Sequence, residues 1–387
     1  MKRSREVIVA GAGPVGLTAA LALADAGIPV TVAEKRPGLS TASKASTFHP
    51  PTLAILDRLH VLEAVKHEGY VVDRVQYRTA SDGVFAEFAL ATLAGDTDFP
   101  FRLHLEQAQL TPIMLQRLRQ HPHARVLFDA EVQQVVQEGS RVTARVKHGT
   151  GHETLEADWL IAADGSRSDV RSLLGIPFDG HEYPDKILRI MTDDDLEALL
   201  PGLAPVTYLW NGTRSLSFLR MPDCWRIIVR VPKEVDDAQA LQPEWILARL
   251  RDVMPHCDKV PHVVMQDIYG VARRVAARNR QGRVLLAGDA THITNTRGGM
   301  NMNCGIHDAW ALAHAIAAAP AGDTAAVDAA AAERLRVANQ MLIPRTDRNV
   351  AGGDAWLDKI RAMAASPAET AAYLRTAAML DMTPALA

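Results

Sequence analysis

Cysteine is nearly absent from this 387-residue chain. The three that occur, Cys224, Cys257 and Cys304, are far apart and form no CxxC pair, which excludes a disulfide framework and a zinc site. No metal is expected. The chain also lacks a strong net charge: its formal charge is -3, with no long like-charge run, so it carries no basic field for a nucleic acid. Nor does it hold an uninterrupted apolar run of the roughly 18 residues that span a bilayer, since Asp25, Gly27 and Pro29 break the longest early one. The basic, then apolar start could pass for a signal peptide, but its glycines and proline argue against that, and a cytoplasmic enzyme is the expectation.

What is present is a chain long enough for about two domains, 48% hydrophobic, with helix and strand signals in alternation. Val7 to Ala10 reads as a strand, Pro14 to Ala26 as a helix and Val30 to Ala33 as a second strand, a β-α-β unit. A helix follows Pro50-Pro51, and Val71 to Arg78 pairs with Val84 to Leu90 around Ser81-Asp82-Gly83. Leu110 to Arg119 is helical, and strands follow at Arg125 to Phe128, Glu131 to Gln137, Arg141 to Lys147 and Trp159 to Ala163. Between Gly175 and Gln266 the alternation of Val206 to Trp210, Ser215 to Leu219 and Trp225 to Val231 suits a separate sheet. The Ala-rich stretch after Asp323 reads as helix to the end and supplies the candidate contact for a homodimer.

Three segments carry chemistry. Gly11-Ala-Gly13-Pro14-Val15-Gly16 follows a strand and opens a helix, and Glu34 ends the next strand. Gly11 permits the tight turn, Gly13 lets backbone approach a pyrophosphate, Gly16 packs helix on strand, and the helix N-terminus offers N–H groups to the phosphates. Glu34 is placed to accept from a ribose, with Lys35 beside it. This motif does not separate NAD from FAD. In the second segment, Asp164-Gly165 closes an apolar strand before Arg167, either to bind a ligand beyond the sheet or to cap the next helix, and both readings stay open. In the third, Asp289 ends the strand Val284 to Ala287, and Gly298-Gly299-Met300-Asn301-Met302-Asn303 opens a long helix. Such a loop can approach a flat ring and offer it N–H groups. His292 and His307 are of the type more often structural, with His292 kept as a candidate.

In this order the segments GAGPVG with Glu34, LIAADGSRSDVR, and VLLAGDATH followed by GGMNMNCGIHDAWALAHAI resemble the FAD-dependent aromatic hydroxylases of the para-hydroxybenzoate hydroxylase type. The resemblance implies an α/β fold: a Rossmann-like FAD-binding domain, residues 1–175 and 267–345, interrupted by a β-sheet substrate domain, 176–266, to which 70–105 contributes, and a C-terminal helical segment, 346–387. It implies FAD held by Gly11, Gly13, Gly16 and Glu34 at its ADP half, by Asp289 in its middle and by Gly298 to Asn303 at the isoalloxazine edge. Asp164 and Gly165 match a motif linked to FAD and nicotinamide binding, and Gln107 and Lys44 are further candidate contacts. It implies NADH or NADPH as reductant and O2 as oxidant, with a flavin C4a-hydroperoxide transferring one oxygen atom to a small phenolic or heteroaromatic substrate. Tyr208, Trp210, Arg220 and His292 are the candidate pocket residues. Arg220 would grip a carboxylate, with Arg226 nearer the flavin, and the alternative for both arginines is the solvent face of a strand. Thr296 stands where relatives usually carry proline, and Asn301 where glycine is common. The competing readings are a reductase of the same fold acting on another substrate such as an isoprenoid, a non-catalytic binding protein and an NAD-only dehydrogenase. A flavin halogenase is disfavoured by the absence of WxWxIP.

Overall fold

Four short apolar strands set the frame. Val7–Ala10, Val30–Ala33, Trp159–Ala162 and Val284–Leu286 are buried almost throughout, as parallel strands covered on both faces must be. In the computed structural model, which describes residues 5–212, 214–254, 257–320, 322–351 and 354–384, they form a six-stranded sheet. Its order runs Arg280–Gln281, Val284–Leu286, Trp159–Ala162, Val7–Ala10, Val30–Ala33, Ala124–Leu127, parallel except at the first pair. Helices Pro14–Asp25, Gln107–Leu118 and Asn301–Ala318 pack on one face, and the antiparallel strands Ala130–Glu138, Arg141–His148 and Gly151–Ala157 belong to the core on the other. The basic start, Met1 to Ser4, lies outside the described residues.

The second large unit is a seven-stranded sheet in the order Met265–Tyr269, Lys186–Thr192, Trp225–Val231, Arg214–Arg220, Val206–Asn211, Arg74–Thr79, Gly83–Ala89. The chain is thus α/β, with the large sheet built partly from a hairpin that the chain makes between Val30–Ala33 and Ala124–Leu127 of the first sheet. Two expectations change here. The strand expected over Val71 to Arg78 is two strands in different sheets: Tyr70–Val72 pairs with Arg102–His104, while Arg74–Thr79 joins the large sheet. The segment 175–266 also contains a helix, Pro243–Val253, whose Ile246, Leu250 and Val253 recur every three or four residues and seal one face of that sheet. Helices Asp354–Ala365 and Pro367–Ala377 pack on the hairpin end through Leu357, Ile360 and Leu374.

Candidate functional site

A cavity of about 1140 Å3 lies between the two sheets. The glycine turn forms one end. Gly11 has φ +99, and a Cβ there would meet the Ala163 carbonyl oxygen at 2.5 Å; one on Gly16 would lie 2.0 Å from the Gly11 oxygen. These two glycines answer to packing within the protein. Gly13 does not: a Cβ there meets no protein atom within 4 Å, and Gly11, Gly13, Pro14 and Val15 all border the cavity whereas Gly16 lies behind it. Helix Pro14–Asp25 therefore begins at the cavity with no side-chain cap. Glu34 also borders it, its carboxylate accepting from the backbone N of Ala12 at 2.8 Å and of Arg36 at 3.0 Å, which fixes the turn and leaves further lone pairs for a ligand.

Lys35 and Lys44 reach the cavity rim, the first paired with Asp169 at 2.8 Å, which raises its pKa. Gln107 opens helix Gln107–Leu118 on the wall. Asp164 supports the start of the next helix and also borders the cavity. Its Oδ2 accepts from the Val170 N at 3.1 Å, at the start of a helix whose capping residue is Ser168, while its Oδ1 is buried at the cavity without a partner. Burial pushes its carboxyl above the usual range. Gly165, at φ +88, makes the turn beside it.

The opposite wall is the loop before helix Asn301–Ala318. Gly298 and Gly299 sit at φ +94 and +64, and Met300, Asn301 and Met302 line the cavity with them. Asp289 faces this loop, its Oδ1 accepting from Asn301 Nδ2 at 2.8 Å, and burial raises its carboxyl. The Asn301 Oδ1 meets His292 Nδ1 at 3.1 Å, and His292 Nε2 meets Asp308 Oδ2 at 2.8 Å. Burial opposes a charge on His292, but Cys304 and Asp308 outweigh it and raise its pKa well above the usual value.

Besides Gly16, four nominated residues stand elsewhere, and the first of them, Trp210, is buried against Tyr208 without bordering this cavity. His292 is fully buried in that network and does not reach the cavity wall. Asn303 lies behind the loop, donating to the Thr47 and Gly299 carbonyls at 2.8 and 2.7 Å and accepting from the His49 N at 2.9 Å, so it pins the turn. Arg220 sits at the end of its strand against the rings of Tyr70 and Trp225, away from the cavity, because the strand's inward positions are Ser215, Ser217 and Leu219.

The large sheet presents Tyr208, Arg226, Ile228, Arg230, Arg189, Asp267 and Tyr269 to the cavity. Buried Arg226 donates to the Lys44 carbonyl at 3.1 Å, to Ser46 Oγ at 2.9 Å and to Glu106, tying the 43–46 segment to the sheet. Arg189 binds Asp267 through Nε and Nη2 at 2.9 and 2.7 Å and reaches the Ser43 carbonyl at 3.2 Å. Sequence reasoning missed Arg189, although a lone arginine amid Ile-Leu-Ile-Met of a buried strand was its signal.

Residues 4–343 match the family model described as an FAD binding domain. The para-nitrophenol 4-monooxygenase of Pseudomonas sp. (strain WBC-3) is 33% identical over 328 residues, 81% of this chain and 77% of that relative. The chain belongs to the FAD-dependent aromatic hydroxylases. The 6-hydroxy-3-succinoylpyridine 3-monooxygenase of Pseudomonas putida (strain DSM 28022 / S16) is another relative of this hydroxylase family, 32% identical over 320 residues, 81% of this chain and 79% of that one. Among solved structures, the p-nitrophenol 4-monooxygenase of Pseudomonas putida DLL-E4 superposes with a TM-score of 0.88 at 28% identity, covering 99% of this chain and 98% of that one. Aklavinone-11 hydroxylase, solved with FAD and aklavinone, gives 0.77 at 28% identity, covering 91% and 69%.

Proposed function

We propose that this chain is an FAD-dependent monooxygenase that hydroxylates a small phenolic or heteroaromatic ring, with NADH or NADPH as reductant and O2 as oxidant. One observation carries the reading: a single cavity runs from the uncapped glycine-turn helix, past the Gly298–Met302 loop, to the polar face of the large sheet. The open space at Gly13, the partnerless Asp164 oxygen and the glycine loop fit the cofactor along that path. Gly11 to Val15 would take the pyrophosphate and Glu34 the ribose. Asp289, Lys44 and Gln107 would line the ribityl region, with Gly298 to Met302 at the flavin edge. When bound, FAD supplies the electron transfer from nicotinamide and the delivery of one oxygen atom to the ring.

The chain's own residues hold and enclose. The loop N–H groups at 298–302 can donate to a flat carbonyl-bearing ring, and the Tyr208 and Tyr269 walls exclude water from it. Arg226 and Arg189 fix the 43–46 segment over the cavity. The same reading divides the chain as the motif order implies, with nicotinamide visiting without a domain of its own, a homodimer through the C-terminal helices, and a cytoplasmic setting. Among the described residues no helix is long and apolar enough to cross a membrane.

The test is the visible spectrum of the purified protein, followed by NADH and NADPH oxidation against single phenols, hydroxybenzoates and pyridinols under labelled O2. A yellow protein whose nicotinamide oxidation is stimulated by one ring compound, with label in the product, supports the reading. A colourless protein that cannot be reconstituted with FAD overturns it, and a product without label points to a reductase instead.

A further inference from the structure

Behind the glycine loop a run of buried charged side chains ends on a residue of the cavity wall. Arg334, 3% exposed, donates through Nε to Asp308 Oδ1 at 2.7 Å. Asp308 Oδ2 meets His292 Nε2 at 2.8 Å, His292 Nδ1 meets Asn301 Oδ1 at 3.1 Å, and Asn301 Nδ2 donates to Asp289 Oδ1 at 2.8 Å. Asp289 and Asn301 border the large cavity, whereas His292, Asp308 and Arg334 lie behind it. The sequence of groups from the interior outward is cation, anion, imidazole, amide, anion.

Donors and acceptors decide the proton on the ring. Both nitrogens of His292 face oxygens that only accept: the Asp308 carboxylate, whose Oδ2 also takes the Gly288 N–H at 3.2 Å, and the Asn301 carbonyl oxygen. A neutral imidazole has one N–H and sets its other lone pair against an oxygen, while an imidazolium donates to both. Turning the amide over does not rescue the neutral ring, because the Asn301 oxygen then faces the Asp289 carboxylate and the donor there is lost. The direction of one amide therefore ties the proton on His292 to the charge on Asp289.

The surroundings agree. Asp308 and Cys304 stand beside the ring from helix Asn301–Ala318, with Arg334 behind them on Ala325–Val337 and Asp289 on the turn before it. Arg171 donates to the Ala290 carbonyl from one neighbouring helix, and Arg274 pairs with Ile293 on the adjoining strand. Burial alone would raise the Asp308 carboxyl, but Arg334 and His292 hold it below the usual range. The ligand atoms of His292, Cys304 and Asp308 come within 4.8 Å of one another, a grouping fit for a metal ion, yet Arg334 already donates to Asp308 and Cys304 and takes the cation's place.

We propose that His292 is a positioning residue: it stays an imidazolium and, through the Asn301 amide, keeps Asp289 an oriented carboxylate for the hydroxyl-bearing middle of the cofactor. Such a carboxylate accepts from the alcohols of a polyol chain, and a protonated or turned carboxyl gives up one of those bonds. The relay belongs to a chain with asparagine at 301, since glycine there would end it at the ring. The assignment rests on the cofactor reading for the ligand of Asp289 and not for the proton on His292.

Imidazole nitrogen NMR on the FAD-loaded protein reads that proton, with His292→Gln assigning the signal. Both ring nitrogens should carry protons at pH ~8, where an ordinary histidine is neutral, and a singly protonated ring overturns the proposal. Flavin titration reads the consequence. His292→Gln and Asn301→Gly should each weaken FAD ~10-fold, and the double variant should stay within about 3-fold of the worse single one, because both cut the same relay. Asn301→Ser should recover part of the loss, since one hydroxyl can accept from the ring and donate to Asp289. Losses that multiply in the double variant, or a Ser variant no better than Gly, overturn the proposal. Should His292→Gln fail to fold, the signal is assigned by its shift in Asn301→Gly, and the Gly and Ser variants decide. A protein that takes up no FAD refutes the cofactor reading and the role of Asp289 with it. Single variants that hold FAD as tightly as the wild type refute this assignment alone.

Discussion

Gly13 and Gly16 belong to one turn, yet they are glycine for opposite reasons. A methyl on Gly16 collides with the backbone of Gly11, whereas one on Gly13 enters the cavity and touches nothing of the protein. Gly16→Ala is therefore expected to cost the apoprotein more than ~3 kcal/mol, because backbone must shift. Gly13→Ala should cost less than ~1 kcal/mol but weaken FAD at least ~10-fold. Thermal melts of the apoproteins beside flavin titration separate the two, and equal damage to both readouts in Gly13→Ala would defeat the assignment. Asn301 shows how a departure from the family's habit is absorbed: its amide bridges Asp289 and His292, the Nδ2 donating to the carboxylate and the Oδ1 meeting the imidazole Nδ1. Asn301→Asp turns the bridge into two facing carboxylates. It should lose ~1–3 kcal/mol and more flavin affinity than Asn301→Ser, a ranking that melting and flavin release can check.

Strand Trp225–Val231 carries a division of labour in its alternation. Trp225, Ile227, Val229 and Val231 face the helix-covered core, while Arg226, Ile228 and Arg230 face the cavity. Ile227→Ala should cost ~2–4 kcal/mol with little change in KM, and Ile228→Ala should raise KM with a smaller loss of stability; denaturation and steady-state kinetics give the two readouts. This strand also marks what could be read beforehand. The glycine turn, Glu34, Asp289 and the Gly298–Met302 loop declare themselves because their backbone demands are local and set by spacing. Period-2 alternation shows that Arg226 and Arg230 share a face, but the other face is covered by the helix Pro243–Val253, which lies outside the strand, and nothing within the strand says which side is wet. Arg220 misses the cavity because it falls on the opposite phase of its strand, pairing with Trp225 where Leu219 pairs with Arg226. A structural role for His292 was open in the sequence, but what it and Asn303 support was not, because their partners, Asp308, Thr47 and His49, come from other turns and elements. The helix pair Asp354–Ala365 and Pro367–Ala377 meets a hairpin far earlier in the chain, as in the pair of Arg361 with Asp82, 279 residues apart, and no motif spans that distance.

At the scale of the molecule, three buried histidines make the fold sensitive to acid. Burial holds His49 well below the ordinary value of 6.5, His104 at about 4 and His307 at about 3, whereas each takes a proton near 6.5 once unfolded. Between 6.5 and those lower values the unfolded chain binds more protons, so stability falls with pH by up to ~1.4 kcal/mol per unit for each histidine. His292 has the opposite sign: its pKa is raised, so its contribution is complete below 6.5 and is lost as pH climbs through the raised value. The melting temperature should therefore drop steeply from pH 6.5 to 4.5 and more gently in His307→Gln; a flat profile would contradict the burial of these rings.

The parallel pairing of Val7–Ala10 with Trp159–Ala162, and of that strand with Val284–Leu286, has a consequence in time. At roughly 5–20 residues per second of synthesis, the first strand soon has Val30–Ala33 on one side but waits on the order of ten seconds for Trp159–Ala162 on the other, and the sheet waits longer for Val284–Leu286. The glycine turn leaves the ribosome early, but the loop at 298–302 that faces it across the cavity arrives only when most of the chain is made. FAD can therefore assist the last stage of folding and none of the earlier ones. Scarcity of flavin in a producing cell should show itself as full-length chain that fails to close, rather than as truncated or early-arrested protein.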